Sequence, residues 1–179
     1  MKYIFDDAII FSKASQAYSM GDYPQVITLL SGRQLPTEAY ILRAQANLFT
    51  GDLASSRNDY QTTLEHIGDV HQDKTIMQIG QALTYWQPTL GIPENPETIY
   101  KQHCPQADEI YSNVISANKS NGDVILFREI ARLYCGTTAP NYLQTLETTR
   151  STVEKLNANP ALVNFWEALT LSKDGQDKP

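Results

Sequence analysis

Cysteine is scarce, with only Cys104 and Cys135 in 179 residues. So few do not make the disulfide framework of a small secreted scaffold, and a reducing compartment would keep both as thiols. Basic residues are also in the minority, 14 Lys and Arg against 20 Asp and Glu, for a formal charge of −6. A phosphate backbone is bound through clustered cations that release counterions, so nucleic acid is disfavoured as the main partner. Long hydrophobic runs are missing as well. The apolar patch Ala8-Ile9-Ile10-Phe11 follows Asp6 and Asp7, where a secretory signal would be basic, and no run approaches the ~20 residues of a membrane span. The expectation is a cytoplasmic protein without a membrane partner. Glycine-rich phosphate loops and paired zinc cysteines are absent too, so no cofactor or metal is implied.

What is present is enough apolar material to fold: 41% of the residues are hydrophobic, sufficient for one domain or one short repeat array. Tyr40 to Leu53 reads YILRAQANLFTGDL, with the small residue Ala44 amid large apolar neighbours and a Gly-Asp pair at the end. A small residue in mid-face predicts a second helix packed closely against it, and Gly51 lets the chain turn back to supply that helix. The arrangement recurs. In IIFSKASQAYSMGDY, Ala14 precedes Gly21 by the same seven residues that separate Ala44 from Gly51. TIMQIGQALTYW is centred on Gly80, VILFREIARLYCG on Ala131 and ALVNFWEALTLSKDG on Ala168. First helices are predicted near 8–20, 37–50, 74–86, 123–135 and 161–173. Their partners are predicted at Tyr23 to Leu30, Leu53 to Ile67, Ala107 to Ala117 and Tyr142 to Leu156. Within the second of these, Tyr60, Leu64 and Ile67 recur at helical spacing and are core candidates.

The centres are spaced by 30, 36, 51 and 37 residues, and three of these four bracket the ~34 of a tetratricopeptide repeat. Tyr40, Ala44, Gly51, Ser56 and Tyr60 resemble the motif of that family, and Ala14, Gly21, Tyr23 and Leu30 follow it more loosely. The resemblance implies an all-α superhelix, a solenoid of helical hairpins with about nine helices. It would run as a single domain over residues 1–179, with a proline-rich insertion at about 87–105 and a polar tail at 172–179.

In this family the first helices line a concave groove, which maps onto Phe11, Ser15, Tyr18, Ile41, Gln45, Leu48 and Phe49. Such a groove is apolar and lacks the Lys and Asn clamp used for acidic C-termini. It suits a peptide or an amphipathic helix whose anchors recur every turn, or a neighbouring copy in a homo-oligomer. The implied function is a non-catalytic protein-protein interaction module, an adaptor or scaffold subunit. Alternatives are a cytosolic secretion chaperone for a client protein, and an enzyme or regulatory subunit that uses the insertion.

The insertion holds Pro88, Pro93, Pro96 and Pro105, a density that predicts a loop with at most a helical turn near Glu97 to Lys101. His103 beside Cys104 offers an imidazole and a thiol, but sequence neighbours seldom aim at one atom and no third group is evident. Glu65, His66, Asp69, His71 and Asp73 have metal-ligand chemistry. His66 and His71 straddle Gly68 and do not share a helix face, so a solvated turn is the reading. Asn118-Lys119-Ser120 is a glycosylation sequon only in a secreted chain. In the final helix, Leu162, Phe165 and Leu169 are expected to pack on the helix before it. Trp166 would then sit at the edge of that contact, completing the cap or anchoring a partner.

Overall fold

The computed structural model describes residues 2–33, 36–67, 71–86, 96–135 and 142–176. Among these are nine helices and no strand: α1 (Lys2–Ser19), α2 (Tyr23–Leu30), α3 (Thr37–Thr50), α4 (Leu53–Ile67), α5 (His71–Trp86), α6 (Pro96–Ala117), α7 (Gly122–Cys135), α8 (Tyr142–Lys155) and α9 (Pro160–Gln176). The boundaries of α2, α3 and α4 follow from two Gly-Asp pairs. Gly21 and Gly51 have φ of 77° and 88°, the left-handed region that a Cβ disfavours. The aspartates then start the next helices: Asp22 accepts a hydrogen bond from the Gln25 amide at 3.1 Å, and Asp52 accepts one from the Ser55 amide at 3.0 Å.

One domain was expected, and the contacts group into two compact units, the described residues through Thr84 and those from Tyr85 onward. In the first, α3 packs against α1, α2 and α4. Ala14, Ala17, Val26, Leu30, Ala39 and Ala46 form one buried cluster, and Ala44, Tyr60 and Met77 form another. Small residues let the backbones approach: the Ser56 hydroxyl donates to the Ala44 carbonyl at 2.7 Å, within the crossing of α3 and α4. Gly80 serves α5 in the same way, since a methyl group there would lie 2.6 Å from the Tyr60 ring.

In the second unit α7 packs against α6, α8 and α9. Trp86 is buried, donates from its indole nitrogen to the Tyr111 hydroxyl at 3.0 Å, and stacks on Tyr134. Here the structure corrects several expectations. Residues 96–105 of the supposed loop are helical, because α6 starts at Pro96 and runs through Pro105. A proline at the first helical position has no N–H bond to lose. Pro105 removes one interior bond at roughly 3 kcal/mol, a cost set against the burial of Cys104, Ala107 and Tyr111 beside it. Residues 87–95 of the insertion lie outside the described residues. Cys104 and Cys135 are not separate thiols but a disulfide joining α6 to the end of α7, with Cα atoms 6.0 Å apart. The first part of the polar tail is helical, since α9 continues to Gln176. Ala168 is exposed and no crossing is centred on it, while Val163, Trp166 and Thr170 form the buried stripe of α9.

Candidate functional site

The Gly-Asp turns bring aromatic residues together at one end of the first unit. Tyr18 lies in the last turn of α1, Tyr23 opens α2 and Phe49 lies in the last turn of α3. Tyr23 and Phe49 stack with centroids 4.7 Å apart and planes 17° apart. Tyr18 meets Tyr23 edge-on at 5.5 Å and Phe49 at 6.4 Å. Tyr18 and Tyr23 are half-buried against the α1–α2 core, which holds the cluster from below. Phe49 keeps 54% of its surface exposed, and Met20, in the turn between the tyrosines, keeps 68%. Partial burial, then the neighbouring Tyr23, raises the pKa of the Tyr18 phenol, which therefore stays neutral at pH 7.

Of the expected groove residues, the structure brings Tyr18 and Phe49 into ring contact. The others diverge. Phe11 packs against the α1–α2 core and Ile41 against Ala44, Tyr60 and Met77. Leu48 is buried and offers no surface to a partner, which corrects its assignment to the groove. Ser15 and Gln45 are half-buried. Tyr23 and Met20 were missed, although GDY after an aromatic-bearing helix end was the available signal. Trp166 is 1% exposed within the second unit, which fits the capping role of the two open to it and not the edge position or the partner anchor. Phe165, expected to pack inward, is 51% exposed. The apolar residues of α9 surround the helix, and the larger indole takes the interior.

A second feature of the first unit is polar. Arg43 donates to both oxygens of Asp59, from Nε at 2.8 Å and Nη2 at 2.6 Å. Its Nη1 donates to the Leu30 carbonyl at 2.9 Å, and Asn47 adds a bond to Asp59 at 3.3 Å. The hydrogen bond to Asp59 holds the guanidinium pKa above its ordinary value. An adjoining cleft of about 510 Å³ is lined by Ser31, Asn47, Asp52 and Asn58 among others. Every charged group in the network is matched within it, so it fastens α2, α3 and α4 rather than awaiting a ligand.

Chemistry is thin elsewhere. The Cys104 sulfur is bonded to Cys135 and is not a thiolate nucleophile in this state. His103 lies with its ring 6.2 Å from that of Tyr85. Among the described residues no group of three His, Cys, Asp or Glu side chains is placed to hold a metal, and Asp69 and the side chains of His71 and Asp73 lie outside them. In the sequon turn, Asn118 accepts from the Ser120 hydroxyl at 2.8 Å. No helix among the described residues is long and apolar enough to cross a membrane. Neither a protein-family model, a curated protein nor a solved structure matches the chain.

Proposed function

We propose that the chain is a non-catalytic protein-protein interaction module of tetratricopeptide-like build, whose helical hairpins present an apolar surface to a peptide or helix. The observation that carries this reading is the Tyr18, Tyr23 and Phe49 cluster. A ring held by two neighbours loses little conformational freedom on contact, and an exposed aromatic in such a setting is the usual anchor of an interface. The repeat-like crossings at Ala44 and Gly80 support the family resemblance, because each places a small residue where two helices meet. A second surface on α9, around Phe165 and Leu171, is exposed without a comparable aromatic cluster.

The test compares wild type with Phe49→Ala as bait in lysate of the source organism, with captured proteins identified by mass spectrometry. A protein retained by wild type and lost by the variant, with helicity preserved and stability lowered by no more than the ~1 kcal/mol that trimming a half-exposed ring costs, supports the reading. Identical captures by the two baits overturn it for this surface.

A further inference from the structure

We propose that the segment received by the Tyr18, Tyr23 and Phe49 cluster is a cationic amphipathic helix, its Lys or Arg side chains meeting Asp22 and Asp52. The inference rests on the interaction-module reading and adds the chemistry of the partner. Ring contact between Tyr18 and Phe49 places the C-terminal ends of α1 and α3 side by side. The turns that follow, Gly21-Asp22 and Gly51-Asp52, therefore lie at the same end of the first unit. Both aspartates are exposed.

The charge there is one-sided. From residue 14 to residue 32 the only charged side chain is Asp22, and from 44 to 56 the only one is Asp52. Arg43, the cation preceding the second stretch, is committed to Asp59 and the Leu30 carbonyl. The tip thus combines exposed apolar surface at Met20 and Phe49 with two carboxylates and no cation within either stretch. An apolar anchor flanked by Lys or Arg complements both parts, and a guanidinium also gains from lying on an aromatic face. An acidic segment would meet like charge. A second copy pairing this tip with itself would set the same aspartates against each other, which disfavours a twofold contact here.

The experiment measures anisotropy of fluorescein-labelled helical peptides that share one Leu and Phe face and carry Arg, Gln or Glu on its flanks. Two exposed charge pairs predict that the Arg peptide binds the full chain roughly fivefold to tenfold more tightly than the Gln peptide at low salt, with the gap narrowing as salt is added. Asp22→Asn with Asp52→Asn should abolish that gap and leave the Gln peptide unchanged, because Asn caps a helix about as well as Asp. Phe49→Ala should weaken the Arg and Gln peptides together.

Equal affinities for Arg, Gln and Glu peptides, all lost in Phe49→Ala, would overturn the charge preference while leaving the interaction surface standing. An Arg preference that persists in the double Asn variant overturns the assignment to these aspartates. Failure of the Arg peptide to bind overturns the inference, and the lysate capture decides separately whether the underlying reading survives. A sedimentation-detected dimer broken by Phe49→Ala would give the tip to a second copy instead.

Discussion

α3 and α7 occupy equivalent places, each packed against three other helices of its own unit, yet they are built differently. α3 buries three alanines, Ala39, Ala44 and Ala46, with Asn47 and Leu48, and α7 buries more bulk, Val124, Leu126, Ile130 and Leu133, with Gly122, Glu129 and Ala131. Small residues bring helix backbones close and define where the crossing falls, so an error of one position would drive a large side chain into it. Large branched residues fill a wider gap and tolerate more than one register. The fastenings differ in the same sense. The Arg43–Asp59 pair is enclosed, with 17% and 2% of the side chains exposed, whereas Arg132 and Asp108 keep 32% and 40%. The second unit adds the Cys104–Cys135 bond. Close approach at small residues occurs in both units, since a methyl group at Gly122 would lie 2.9 Å from the Ala158 side chain, but the first adds an enclosed clasp and the second larger core side chains and a covalent link.

The largest expected effect comes from removing that link. Cys104 and Cys135 are 31 positions apart, and closing a loop of that length stabilises by roughly 3–4 kcal/mol on the chain-entropy account. Both tryptophans, Trp86 and Trp166, belong to the second unit. Denaturant unfolding of the reduced protein should therefore show an early loss of tryptophan signal, with helicity at 222 nm falling less at the same midpoint. If both signals shift together, the two units unfold as one and the comparison loses its thermodynamic meaning. Alkylation of thiols in intact cells bears on compartment, because cytosolic glutathione keeps such pairs reduced.

Next in size is Asp59→Asn, which leaves the Arg43 guanidinium partly enclosed without its anion. A loss of about 2–3 kcal/mol is expected, below the roughly 3–5 of a fully buried pair because Arg43 retains some solvent. The loss should appear in helicity before it appears in tryptophan fluorescence. Phe49→Ala comes third, at about 1 kcal/mol, since only part of the ring is removed from water and its stacking on Tyr23 contributes modestly. A larger drop in melting temperature would mark Phe49 as a core residue and remove the basis for a docking surface.

The same contrast explains what could be read from sequence. Around Ala44 the order of helices, the turn at Gly51 and the buried Tyr60 were all legible, because Gly, Asp and Ala act through local backbone geometry. In α9 the run ALVNFWEALTL is apolar on most faces, so Ala168 looked as eligible as any residue for the crossing. Only the fit of the Trp166 ring decides the matter, and that depends on three helices at once. Pro105 misled because the cost of an interior proline is local while the burial that outweighs it is not. Cys104 and Cys135 carried no pairing signal, since their proximity comes from the packing of α6 on α7. At the candidate site Tyr18 and Phe49 were reached through the groove positions that the tetratricopeptide resemblance implies. Tyr23 escaped because it stands on a second helix, read as the opening of α2 and a motif position, while the implied groove drew only on first helices.

The smallest effect should come from Arg132→Met. Arg132 bonds Asp108 at 2.6 and 3.2 Å and Glu129 at 3.0 Å, a geometry as favourable as that of Arg43. Its environment is wetter, and exposed pairs contribute about 0–1 kcal/mol once desolvation and side-chain entropy are counted. Methionine keeps much of the aliphatic stem in place. Glu129 is buried, but it retains Arg128 with Nη2 at 3.3 Å and is not left without a cation. Asp108 regains water. The expected loss is below about 1 kcal/mol, measured by the same tryptophan transition and reduced further by salt. A loss equal to that of Asp59→Asn would show that hydrogen-bond geometry outweighs exposure in this fold, and the two units would then be fastened alike.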